Sequence, residues 1–176
     1  MEGAIRVVDD PLQVVVADAV IRPVRTDLSP VTAVSRDLLS AAGEVVERRL
    51  SELGSLPLGG AVLTPAGGLP ASFLIHVVVM SEDEPQTSAT VRKAVENGLR
   101  RATDWELSSL ALPPLGIGVG MTEPEVAAQE LVELLGSHLE RGRPPLELII
   151  AATSPYETEL FMGLVEKMCR DDAAGD

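Results

Sequence analysis

Short apolar runs separated by longer stretches of helical period constrain this chain more than any other feature of its sequence. Seven runs read as strands: Ile5 to Val8, Gln13 to Val16, Ala19 to Pro23, Gly60 to Thr64, Phe73 to Met80, Ser109 to Leu112 and Leu146 to Ala151. Between them, Leu38, Leu39, Ala42, Val45, Val46, Leu50 and Leu53 recur at three- and four-residue steps, the spacing of one helix face. Val91, Val95, Leu99 and Ala102 repeat the pattern, as do Val126, Ala127, Leu131, Leu134 and Leu135. A last helix is expected from Pro155 to about Cys169, with proline in its first turn. Alternating strands and helices of this kind predict an α/β domain whose sheet is covered on both faces.

The alternation runs without a dividing linker or an internal repeat, so residues 1–170 are expected to form one domain, followed by a flexible acidic tail over 171–176. The segments "GSLPLGG" and "SEDEPQTS" read as its surface loops. At 176 residues the chain is long enough to bury a real core. Its longest apolar stretches fall well short of the roughly 18 residues a membrane span needs, and a cytoplasmic location without membrane partners is expected. A formal net charge of −13 argues against nucleic acid, because affinity for its phosphates comes from clustered Lys and Arg. Aromatic residues make up 2% of the chain, too few for a base-stacking platform. The single cysteine, Cys169, can form neither an internal disulfide nor a cysteine zinc site, and no metal or cofactor is expected. Self-association is left open.

Within this frame, "LPPLGIGVGMTEPE" at 112–125 puts Gly116, Gly118 and Gly120 at alternate positions after a strand and before a helix. In an open α/β sheet, loops at the carboxyl ends of strands are where ligands bind. Glycines there let successive backbone amides face an anion, so the loop from Gly116 through Ile117, Gly118, Val119 and Gly120 to Met121 reads as a phosphate cradle. The other reading is a tight connection that needs positive φ. "TEPE" reads as a capping box in which the Thr122 hydroxyl accepts from the Glu125 amide.

Several segments together resemble the macro domain family. "GGAVLTPAGGLPASFLIHVV" at 59–78 and "LALPPLGIGVG" at 110–120 are similar to the family's Thr-Pro turn, "IHVV" strand and glycine-containing phosphate loop. "VADAVI" at 16–21 looks like its early strand, and "AAG" at 41–43 like the end of its first helical segment. The resemblance covers about residues 5 to 165 and implies a three-layer α/β/α sandwich around a mixed central sheet. It also implies a cleft for a small-molecule nucleotide ligand such as ADP-ribose.

Departures from the family pattern are equally specific. Where relatives read "VNAAN", this chain has "IRPVR", placing Arg22 and Arg25 at or beside the two asparagine positions. The first glycine-rich loop is replaced by "VTAVSRD", with Val31, Thr32 and Ala33 for glycines and Ser35 at the aspartate position. Branched residues cannot easily take the conformations glycine offers, so this wall of the cleft is expected to be reshaped around Thr32 and Ala33. Arg22, Arg25 and Arg36 could supply anion recognition there. Alternatively they pair on the surface with Asp18, Asp27 and Asp37. The resemblance places Asp10 near an aspartate that holds the adenine amino group, the other reading being a solvated strand-end carboxylate. For adenine stacking, Thr153 aligns best and Tyr156 is the nearest aromatic.

Catalytic residues are not expected. His76 reads as a hydrogen-bonded core residue, His138 as an exposed helix residue, and no nucleophile, carboxylate pair or metal-ligand spacing stands out. Three readings stay open: a nucleotide-binding module without efficient catalysis, an ADP-ribosyl hydrolase with rearranged residues, and a scaffold with a closed cleft.

Overall fold

The computed structural model of the chain describes residues 3–116 and 123–175. Among them, six strands form one mixed sheet: β1 (Ala4–Val8), β2 (Ala17–Arg25), β3 (Ala61–Pro65), β4 (Ala71–Met80), β5 (Ser109–Leu112) and β6 (Glu147–Ala151). Their order is β1-β6-β5-β2-β4-β3, and every pairing is parallel except the β3–β4 hairpin. The helices are α1 (Ala33–Ala42), α2 (Glu44–Leu53), α3 (Ser88–Asp104), α4 (Pro124–Glu140) and α5 (Pro155–Ala174).

Strand alternation divides the core in two. Ala19 and Ile21 of β2, Ile75 and Val77 of β4, and Leu110 and Leu112 of β5 turn to α3, α4 and α5. Val20 and Val24, Leu74 and Val78, and Ala111 turn instead to Leu38 of α1 and to Val46 and Leu50 of α2. Both faces of the central strands are therefore apolar, which is why their sequences show continuous runs rather than alternation. The α/β/α sandwich with a mixed sheet is thus the observed architecture.

Three local expectations are corrected. Gln13 to Val16 is no strand: Leu12–Val14 is a turn of 3-10 helix entered from Pro11, with Val14 N–H donating to the Pro11 carbonyl at 3.0 Å. Its spacing buries Leu12 and Val15, three residues apart, and leaves Val14 and Val16 exposed, a period of three that a valine-rich run conceals. The pattern over 38–53 runs through two helices, separated by Gly43 at φ +93°, where "AAG" ends the first helical segment as expected. Leu38, Ala42, Val46 and Leu50 keep four-residue spacing across the break, so both helices press on the same face. The last helix continues to Ala174, making residues 171–174 its final turn. Finally, the N-cap of α4 is Glu123 with Pro124 at the first helical position, one residue later than the capping box requires, and Thr122 lies outside the described residues.

The β3–β4 hairpin is tied to the end of α1. Gly67 holds φ +59°, and the Gly68 N–H donates to the Ala42 carbonyl at 3.0 Å.

Candidate ligand-binding cleft

The strand order reverses between β2 and β5: after β2 the chain builds β3 and β4 on one side, then crosses through α3 to β5 on the other. Carboxyl ends of parallel strands diverge at such a switch point and leave a crevice. A cleft of about 280 Å³ lies there, walled by Pro23 of β2, Thr32, Ala33 and Val34 at the start of α1, Pro113 to Gly116 after β5, Thr153 and Glu157 after β6, and Gln86 before α3. Gly116 has φ +86°, a conformation that favours glycine. Across it lies a second cleft of about 290 Å³, floored by Val91 of α3 and by Leu115, Ala127, Leu131 and Leu134, and sharing Gln86, Leu115 and Gly116 with the first.

The wall at α1 is built differently from the surface arginine cluster expected there. Arg22 is 0% exposed. It sits opposite His76 in the β2–β4 ladder, and its side chain lies under the first turn of α1. Nε donates to the Ser35 carbonyl at 2.8 Å, and Nη1 reaches the Leu28 carbonyl and His76 Nδ1, both at 3.3 Å. Among the described residues, Nη2 is buried without a hydrogen-bond partner. Burial lowers the Arg22 pKa to about 10, which leaves the guanidinium charged at neutral pH. Arg22 thus forms none of the surface pairs considered for it. Instead Asp18 holds the backbone N–H groups of Ser108 and Ser109, at 2.8 and 3.1 Å.

Thr32 caps α1, its hydroxyl accepting from the Ser35 amide at 3.2 Å, and Ala33 follows it on the cleft wall. Ser35, at the family's aspartate position, is buried and donates to the Pro23 carbonyl at 2.6 Å. Arg25 is spent on the β2–α1 turn, where its Nη1 donates to the Pro30 carbonyl. Arg36 makes a loose exposed pair with Asp37 at 3.7 Å. Asp10 is exposed just past β1 and does not wall either cleft. Tyr156, 51% exposed in the first turn of α5, donates its hydroxyl to Glu125 in the first turn of α4. That bond lowers the carboxyl pKa of Glu125 and raises the phenol's. Ile117, Gly118, Val119, Gly120 and Met121 lie outside the described residues. The structure thus brings Thr32, Ala33 and Gly116 to one cleft together with Thr153. Gln86, Pro113 and Glu157 were missed, since a glutamine in a loop and a proline after a strand carry no signal in one sequence.

His76 is the core residue expected, hydrogen-bonded on both ring nitrogens. Thr64 donates its hydroxyl to the Pro65 carbonyl at 3.0 Å, so its oxygen receives the Nε2 proton at 2.9 Å, and Nδ1 accepts from Arg22. Burial, and after it the charge of Arg22, lowers the His76 pKa to about 3. The folded state therefore holds this ring neutral, while the unfolded chain protonates it near pH 6.5. Stability from this group is full above that pH and is lost as the pH falls toward 3. Between pH 6.5 and 5 the wild type should lose about 2 kcal/mol more unfolding free energy than His76→Gln, measured by urea titration. Parallel losses in the two proteins would show the ring to be indifferent. His138, expected exposed, is also buried, with Nε2 3.0 Å from the Pro145 carbonyl, and desolvation is the main cause of its lowered pKa.

Comparison with known proteins adds the family. Residues 22–131 match the Macro domain. A protein of Aquifex aeolicus (strain VF5) is 35% identical over 130 residues, covering 73% of this chain and 79% of its own. O-acetyl-ADP-ribose deacetylase of Klebsiella pneumoniae (strain 342) is 33% identical over 123 residues, or 69% of this chain and 67% of its own. The solved macrodomain of Oceanobacillus iheyensis with ADP has a TM-score of 0.82 at 18% identity, covering 94% of this chain and 91% of that one. The Trypanosoma brucei macrodomain in complex with ADP scores 0.82 at 19% identity over 92% of this chain and 69% of that one.

Proposed function

The chain belongs to the macro domain family, and from that premise we propose that its switch-point cleft binds ADP-ribose or a closely related phosphate-bearing nucleotide without efficient turnover. The observation that carries this reading is the make-up of the cleft wall. The N-terminus of α1 opens onto it, and α1 has no acidic residue in its first turn, so the partial positive charge of its free amides meets no carboxylate of its own helix. The opposite wall differs: Glu157 of α5 lines the cleft and accepts from both the amide and the hydroxyl of Thr153. Phosphate is therefore favoured on the α1 and Gly116 side, and hydroxyl or amino donors on the α5 side. The glycine loop from Gly116 to Met121 extends the same anion site in our reading. Arg25, Asp10 and Tyr156 stand further out in it, Arg25 holding its turn.

The absence of efficient turnover rests on the same wall. Among the described residues lining this cleft, Glu157 is the one ionisable side chain, and its Oε2 takes both donors of Thr153. A general base works best with a second group to orient its substrate or to act as the acid, and a lone carboxylate turned toward its own Thr153 has no such ionisable partner among the described residues of this wall. The named deacetylase among the relatives favours a second reading, hydrolysis of an acylated ADP-ribose, in which Glu157 would have to be that base.

Calorimetry with ADP-ribose, ADP and inorganic phosphate tests binding, and incubation with O-acetyl-ADP-ribose and with a mono-ADP-ribosylated protein tests turnover. Saturable binding of ADP-ribose with no product above background is expected. At one hundred times its dissociation constant the ligand should add about 2.7 kcal/mol to unfolding. No heat from any phosphate compound would refute the binding reading. Turnover abolished by Glu157→Gln would establish the hydrolase in its place.

A further inference from the structure

A buried guanidinium with no carboxylate partner is costly, and proteins that keep one have a use for its charge. Among the described residues, Arg22 has two carbonyls and a neutral histidine for hydrogen-bonding neighbours, and its Nη2 has no hydrogen-bond partner. Its position relative to the cleft is set by the chain on both sides. The next residue, Pro23, walls the cleft. Ser35, whose carbonyl Arg22 holds, directly follows the wall residue Val34 and ties back to Pro23 through its hydroxyl. The charge therefore lies directly behind the α1 wall, shielded from water, and adds to the positive end of that helix.

We infer that Arg22 is a positioning residue for the anionic part of the ligand: it touches nothing in the cleft, and its uncompensated buried charge makes the α1 wall selective for phosphate. The missing counter-ion is supplied when the ligand arrives. Shielding from water strengthens the effect, because the field of a buried charge is screened far less than that of an exposed one. Arg22 also takes over part of what glycines at Val31, Thr32 and Ala33 would offer, recognition of a negative group, by field rather than by close approach of amides. This inference rests on the cleft being the nucleotide site proposed above.

Arg22→Met keeps an unbranched apolar stem and removes the charge. ADP-ribose titrated into the folded variant at low and high sodium chloride should bind about ten-fold more weakly than to the wild type at low salt. That deficit should persist at high salt, because the buried charge is little screened, while adenosine, which carries no phosphate, binds both proteins alike. A folded Met variant with wild-type affinity overturns the inference, as does an equal loss for adenosine, which would mark a purely structural role. If the Met variant does not fold, Arg22→Lys decides. A buried ammonium gives up its proton at lower pH than a guanidinium, so ADP-ribose affinity of the Lys variant should fall between about pH 7 and about pH 9 while the wild type holds. The same pH dependence in both proteins overturns the inference. A wild type that binds no phosphate compound at all would instead refute the proposed function beneath it.

Discussion

Gly67→Ala is expected to lower unfolding free energy by about 3–5 kcal/mol, the sum of left-handed backbone strain and a steric clash. At φ +59° an L side chain strains the backbone, and a methyl group built on Gly67 would lie 2.1 Å from the Ala42 carbonyl oxygen. Relief by side-chain rotation is impossible, because that oxygen is backbone and already accepts from the Gly68 amide. The hairpin turn must therefore lift away from the end of α1, breaking that bond as well. Urea denaturation reads the loss directly. A change under about 1 kcal/mol would mean that the hairpin and α1 adjust to each other more freely than a tied turn allows. Gly43→Ala provides the contrast: φ is +93°, but no atom lies within 4 Å of the added methyl, so only the strain remains.

Ala33→Trp should abolish nucleotide binding while leaving the fold intact. Ala33 is exposed in the first turn of α1 and walls the cleft, so a large ring there occupies ligand space without disturbing a buried neighbour. An indole takes up much of a cavity of about 280 Å³ and covers the helix end on which the phosphate reading depends. ADP-ribose affinity is expected to fall at least about 100-fold, or 2.7 kcal/mol. Unfolding free energy should stay within about 0.5 kcal/mol of wild type, as for other surface changes. Binding within about threefold of wild type would place the ligand elsewhere, with the neighbouring cleft between α3 and α4 next in line.

The sandwich was readable in the sequence because strands buried on both faces must be apolar throughout, as "FLIHVVVM" is over β4. Gly43 after "AA" likewise announced a helix end, since a positive φ suits glycine at such a boundary. Other features were hidden for physical reasons. Valines at 14 to 16 look like a strand until Pro11 starts a tight turn, a choice set by the closure of the chain and not by propensity. The burial of Arg22 was invisible because a charged residue in an apolar run gives no sign of whether it points at water or at the carbonyls of Leu28 and Ser35 further along the chain. The cleft walls at Gln86, Pro113 and Glu157 come together only through the crossover from β4 to β5, so no local pattern contains them.

The hydrogen-bonded chain of Arg22, His76 and Thr64 crosses three adjacent strands, β2, β4 and β3: Arg22 lies directly opposite His76, and Thr64, opposite Leu74, reaches the ring on the diagonal. Apolar packing alone distinguishes a strand from its neighbour slipped by one residue, since that turns every side chain to the other face. It distinguishes poorly a slip of two, which restores the faces. For the edge strand β3, antiparallel and only five residues long, the slip of two that sets Thr64 opposite Ser72 would keep the apolar pattern largely matched yet carry Thr64 away from His76. The ring would then hold a buried proton with no acceptor, at a cost of about 1–3 kcal/mol. Three polar side chains in an otherwise greasy layer thus act as an alignment key, rejecting a neighbouring pairing of the hairpin that hydrophobicity would tolerate.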